Sequence, residues 1–214
     1  MSLSSSDEVR DLYEGSADSY NQMMEQEILL PVYHEVLSNL ASKLKTVAGS
    51  ILDSSCGTGH MLERIRDEYL PGRELIGVDI SPKMVAFSRN RLGESATVIE
   101  SDMGKIPQQP NDSCAAVLSF FAIQHVDLEG FQRCLGEWKR VLVSGGHLLI
   151  AAWEGDGAVD YGEVSNVVAK RYRESEVVDA ANSAGFSVTT HTVKPVEDFD
   201  MDAIYVFATK ELRG

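Results

Sequence analysis

The sequence predicts an α/β domain built on a mostly parallel, Rossmann-like sheet of seven strands with helices on both faces, and three observations carry that prediction. From Gly49 onward short apolar runs alternate with longer amphipathic stretches, the pattern of successive βα units. A glycine turn, Gly57-Thr58-Gly59, stands between the first apolar run and the stretch that follows it. The length, 214 residues with 43% hydrophobic and 24% charged side chains, suits one full core in one domain.

Taken in order, residues from about 6 to 47 carry apolar side chains at helical intervals, broken by Pro31, which suits a helix start. This helical flap, 1–48, is read as part of the same domain as the core, 49–214. The strands are expected at Ser50 to Asp53, Glu74 to Asp79, Thr97 to Ser101, Ala115 to Ser119, Gly146 to Ala152, Phe186 to His191 and Ile204 to Ala208. Helices are expected at Met61 to Tyr69, Pro82 to Leu92, Leu128 to Leu142 and Ser175 to Ala184. The second has its own start and stop: Ser81 to cap, Pro82 in the first turn, Gly93 to end it left-handed.

Composition narrows the function. A formal charge of −14 repels a phosphate backbone, so nucleic acid is not expected as a partner. No apolar stretch approaches the ~18 residues that span a bilayer, so no membrane partner is expected. Cys56, Cys114 and Cys134 lack a CxxC spacing and leave one unpaired, which fits a reducing, cytoplasmic setting. The opening residues, Met1 to Asp7, read as neither signal peptide nor anchor. The expected partner is a small molecule, and the expected state a monomer or homodimer.

The strand-to-helix turn Asp53-Ser-Ser-Cys56-Gly57-Thr58-Gly59-His60 would gather backbone amides at the sheet's carboxyl edge, where Gly57 and Gly59 permit close approach of a ligand. Two glycines also serve as a tight connection alone. Leu62 stands where a dinucleotide fingerprint has its third glycine, and no Gly-Lys-Ser/Thr follows Gly59, so dinucleotides and nucleoside triphosphates are disfavoured. A ligand with ribose and adenine but no phosphate remains. Asp79, ending the second strand, suits the two ribose hydroxyls, or simply starts the next helix. Asp102 and Met103 offer a carboxylate to an exocyclic amine and a thioether to an adenine face.

These pieces in this order resemble the class I S-adenosylmethionine-dependent methyltransferases, in particular their small-molecule group. The carriers are Ile51-Leu-Asp-Ser-Ser-Cys-Gly-Thr-Gly59, Gly77-Val-Asp-Ile-Ser-Pro-Lys-Met84, Asp102-Met103, Leu118-Ser-Phe-Phe-Ala-Ile-Gln-His125 and Arg140-Val-Leu-Val-Ser-Gly-Gly146. The resemblance implies sheet order 3-2-1-4-5-7-6 with the last strand antiparallel. It implies S-adenosylmethionine as cofactor, its methionine part cradled by Asp53, Ser55 and the backbone of Cys56, Gly57 and Gly59. Asp79, Ile80 and Met84 would serve the ribose and adenine, Asp102 and Met103 the adenine, Ser119 and Phe120 the sulfonium side. Tyr20, and with it Tyr13, would close over the cofactor. Three departures stand out: Ser55 for the first glycine of the loop, Ala115 for an Asp, and Ser144 for a Pro.

Methyl transfer needs positioning more than a catalytic pair. Where an acceptor must lose a proton, His125 is the expected base, with an ordinary pKa near neutrality, or it packs against the next helix. Trp153, Glu154, Asp156, Asp160, Tyr161 and Glu163 mark the segment where a substrate lid would lie. Three readings stand beside a small-molecule methyltransferase: a non-catalytic cofactor-binding protein, a protein methyltransferase, and a nicotinamide-dependent oxidoreductase, the last opposed by Leu62.

Overall fold

The computed structural model describes residues 3–159, 161, 165–196 and 201–211. Two helices, α1 (Ser6–Glu27) and α2 (Pro31–Lys43), precede β1 (Ser50–Asp53), with Pro31 at the first turn of α2 as expected. There follow α3 (His60–Arg64), β2 (Leu75–Asp79), α4 (Pro82–Leu92), β3 (Ala96–Glu100) and β4 (Cys114–Phe120). After α5 (Leu128–Val141) come β5 (Leu142–Glu154), a two-strand ribbon of β6 (Ala158–Val159) and β7 (Ala169–Lys170), α6 (Glu174–Ser183), β8 (Phe186–Pro195) and β9 (Asp202–Lys210).

The main sheet has the order β3-β2-β1-β4-β5-β9-β8. With the ribbon set aside this is the expected 3-2-1-4-5-7-6, and β9 runs antiparallel to both neighbours. The connections leave β1 and β4 in opposite directions, opening a crevice beyond their carboxyl ends. Alternation along each strand feeds two cores. Ile51, Leu75, Leu118 and Leu149 meet α2, α3 and α4 through Leu37, Leu40, Leu62 and Val85. Leu52, Val78, Val117 and Ile150 meet α5 and α6 through Phe131, Leu135, Trp138 and Val177. The α5 contributors recur at helical spacing, and burying each contributes about 1.5–3 kcal/mol.

Several boundaries differ from expectation. The first core helix gives way after Arg64 to a wider π turn over Ile65–Tyr69. The fifth strand, expected from Gly146, starts at Leu142, and Gly145 and Gly146 lie at the register shift where Cys114 pairs Leu142 and Ala116 pairs His147. Gly93 has the expected positive φ (53°), but its ψ of −135° leads the chain straight toward β3 instead of into a left-handed cap. The ribbon falls in the segment where the lid was expected. Asp160 and Glu163 lie outside the described residues, as do Met1 and Ser2.

Candidate active site

A pocket enclosing about 720 Å³ of non-atom space, the solvent at its open mouth included, lies in the crevice. Its floor is the loop after β1. Five amides of this loop are already committed: Ser54 N–H donates to Leu118 O (2.9 Å), Ser55 N–H to Asp53 Oδ1 (3.2 Å) and Cys56 N–H to Val78 O (2.8 Å). Gly57 N–H donates to Asp79 Oδ2 (2.9 Å) and Gly59 N–H to Cys56 O (2.9 Å). A phosphate needs free N–H donors, and these amides are spoken for.

Two carboxylates set the electrostatics. Asp79, at the tip of β2, lines the cavity and accepts from Gly57 N–H and, through Oδ1, from Ser81 N–H (2.9 Å). Burial raises its pKa, opposed by these backbone donors. Asp53 is sealed at 2% exposure; burial pushes its carboxyl up to about 7, against the Ser55 amide and with the help of the Asp79 charge. Tyr20, from α1, lies over Gly57, where a side chain's Cβ would come within 3.1 Å of the tyrosine ring. Burial, then the nearby Asp79 and Asp53, pushes the Tyr20 phenol up, so it stays protonated.

α1 forms the roof, and its sequence carries two stripes. One, Ser6, Val9, Tyr13 and Tyr20, faces the cavity. The other, Glu14, Asp18, Asn21 and Glu25, grips α4 and α3. Glu14 Oε1 accepts from Ser81 Oγ (3.0 Å) and Lys83 N–H (2.7 Å), capping α4 from outside the helix. Lys83 Nζ donates to Asp18 (2.6 Å), and Arg91 Nη2 to Glu25 (2.6 Å) and Asn21 (3.2 Å). His60 begins α3 and also bridges Thr58 Oγ1 (2.8 Å) and Glu25 (3.0 Å).

Beyond β4 the wall is aromatic. Tyr13 Oη pairs with His125 Nε2 at 2.9 Å across 112 residues of sequence, and Tyr161 Oη reaches the same nitrogen at 3.5 Å. The rings form a ladder: Tyr20 edge-on to Tyr13 (6.3 Å), Tyr13 edge-on to His125 (5.5 Å), Tyr161 stacked on His125 (6.3 Å). The expected near-neutral His125 is overturned, because burial lowers its pKa to about 4. Phe121 holds a positive φ of 48°, an outlier for a bulky residue, and stacks on Trp153 (4.6 Å).

Of the residues singled out from sequence, Tyr13, Tyr20, Ser55, Gly57, Asp79 and Ile80 line the cavity, as do Met84, Asp102, Met103, Phe120 and His125. Asp53, Cys56, Gly59 and Ser119 do not. Asp53 is buried beside Ser55, and the Cys56 thiol packs against Gly77 and Ser88. Gly59, with φ 88°, is required by α4: a Cβ there would stand 2.8 Å from Ser88 Oγ. Ser119 alternates onto the α5 face of β4, fully buried, its Oγ without a partner. The amides of Cys56 and Gly57 are thus tied to the second strand, at Val78 and Asp79, and that of Gly59 to Cys56 within the loop. Ser55 needs no glycine, since among the described non-glycine residues only Asp112 and Phe121 have positive φ. Phe121 and Glu14 were missed by sequence reasoning. The helical spacing of Glu14 with Asp18 and Glu25 was the available signal.

Comparison with known proteins agrees with this architecture. Residues 51–146 match the model of a methyltransferase domain family. An uncharacterized methyltransferase of Geobacillus sp. (strain WCH70) is 26% identical over 144 residues, 65% of each chain. A demethylmenaquinone methyltransferase of Thermus thermophilus is 32% identical over 103 residues, 47% of this chain and 45% of that one. The chain spans about two thirds or less of the length of these curated relatives. A putative methyltransferase solved with its Haloferax volcanii activator shares the fold at a TM-score of 0.74, with 18% identity, covering 96% of this chain and 99% of its own. No helix among the described residues is long and apolar enough to cross a membrane. The strand order and the crevice at its switch point agree with the match of residues 51–146 to a methyltransferase domain.

Proposed function

We propose that the chain transfers a methyl group from S-adenosylmethionine to a small-molecule acceptor by in-line displacement. The observation that carries this reading is the chemistry of the floor: a loop whose Ser54, Ser55, Cys56, Gly57 and Gly59 amides are committed, beside two carboxylates, with Ser55 Oγ buried and unpartnered. That set fits a ligand bearing a cation and hydroxyls, and it disfavours pyrophosphate.

When bound, the cofactor supplies a methyl carbon activated by a sulfonium that leaves as a neutral thioether. The protein's part is to hold and orient. Asp79 has lone pairs left for the ribose hydroxyls, and Ile80, Met84 and Met103 offer apolar surface to the adenine, with Asp102 at its edge. Gly57 and Ser55 abut the methionine part, Asp53 supplies a nearby negative charge, and Phe120 borders the reacting centre. Tyr20 and α1 exclude water. His125, neutral at physiological pH, orients the acceptor and takes its proton only as the new bond forms.

The charge of −14 and the carboxylate-lined cavity favour a small molecule over nucleic acid as acceptor. Three free, buried cysteines favour a reducing compartment. Titration calorimetry with S-adenosylmethionine, S-adenosylhomocysteine and NAD tests the reading. Binding of the first two and not the third is expected, with about 2.7 kcal/mol of added stability at ~100 times the dissociation constant. Binding of NAD alone overturns it.

A further inference from the structure

The wall contributed by α1, the β4–α5 connection and Tyr161 has features that cofactor binding does not use. Phe121 keeps a left-handed backbone although its neighbours secure it from every side. Its N–H donates to Ala151 O (2.8 Å), its carbonyl accepts from Gln124 Nε2, and its ring lies on Trp153 and edge-on to Tyr205 (6.4 Å). Such strain persists where the surroundings over-determine it, and it gathers at ligand sites. Next to it, His125 lines the cavity with its Nδ1 buried and unpartnered. Buried polar atoms without partners cost about 1–3 kcal/mol each and call for a hydrogen-bonding occupant. The charged residues lining the cavity are Asp79 and Asp102, both carboxylates, and among the described residues no lysine or arginine lines it. An anionic acceptor would meet repulsion and desolvation with no countercharge.

Resting on the methyl-transfer reading, we propose that this wall is the acceptor subsite and takes an uncharged planar ring, aromatic or heteroaromatic, which sets one O–H or N–H edge against His125 and Tyr13. Phe121 is its platform and a determinant of specificity. Phosphorylated and carboxylate-bearing molecules are excluded by the walls' charge, and puckered alicyclic alcohols by the flat aromatic faces.

A matched probe series tests this on the full chain saturated with S-adenosylhomocysteine: 2-naphthol, 2-naphthoate, 2-naphthyl phosphate and decahydro-2-naphthol, with binding read by saturation-transfer NMR and calorimetry. The expected result is 2-naphthol binding at least about tenfold tighter than each of the others, tenfold being 1.4 kcal/mol. Phe121→Ala and, separately, His125→Ala should each weaken 2-naphthol about fivefold or more while S-adenosylhomocysteine still binds, which also certifies that each variant is folded. Equal or tighter binding of either anion or of the alicyclic alcohol, no binding of 2-naphthol, or indifference to both substitutions overturns the acceptor assignment alone. Failure of the unaltered protein to bind S-adenosylhomocysteine overturns the methyl-transfer reading beneath it.

Discussion

Asp53 makes ligand binding a proton-linked event. Its carboxyl is raised from 3.8 to about 7, chiefly by burial. A cationic ligand nearby favours the ionised form, so below the raised pKa a proton must be released before that attraction is available. The ionised fraction is about one half at pH 7 and about one tenth at pH 6, so affinity for S-adenosylhomocysteine, through its ammonium group, should fall about tenfold from pH 8 to pH 6. Calorimetry in buffers of differing ionisation enthalpy reads the protons directly: about one half released at pH 7, nearly one at pH 6. Without ligand, the same group contributes stability that is complete below 3.8 and lost as pH rises through about 7. That swing amounts to at most roughly 4 kcal/mol and should appear as a falling thermal midpoint. Asp53→Asn should flatten both profiles. Affinity that is level between pH 6 and 8, or proton uptake on binding, would refute the linkage.

Three further outcomes follow from the geometry. Gly59→Ala combines a φ of 88° with a contact of 2.8 Å to Ser88 Oγ, and should cost about 2 kcal/mol or more in chemical denaturation. Adding Ser88→Ala should return only the steric part. Because His125 sits at a pKa of about 4, activity should show no histidine inflection near pH 6.5; the same lowering means this group withdraws stability as pH falls from 6.5 through about 4. Arg91→Ala severs bonds to Glu25, Asn21, Glu63 and the Thr58 carbonyl, so α1 should be cut faster in limited proteolysis, with about 1 kcal/mol lost in global stability. Unchanged cleavage would detach the roof from this arginine.

The strands and the helices between them were legible because each carries its signal locally: the apolar run of Leu75 to Asp79, the Ser81-Pro82 start, the spacing of Phe131, Leu135 and Trp138. Chain order then led to sheet order through the family resemblance. The crevice was legible in part. Asp79, Gly57 and Met103, singled out from the sequence, line the cavity. The loop's internal bonding was not, because whether an amide is free depends on partners such as Val78 and Leu118 on adjacent strands. The aromatic wall was least legible, since Tyr13, Phe121 and Tyr161 come from three distant segments and meet only through tertiary packing. The charged helix face of Glu14, Asp18 and Glu25 is the seam that seats α1, through partners on α3 and α4 that sequence alone does not show.

The cavity is drawn from two sources with different histories open to them. Its floor lies inside the matched span 51–146, whereas Tyr13, Val9 and Ser6 in the roof precede that span, and Tyr161, stacked on His125, follows it. Drift in those outlying positions can reshape the roof of the cavity without disturbing its floor. Exchanging the first 46 residues between relatives should therefore carry acceptor preference from one chain to another.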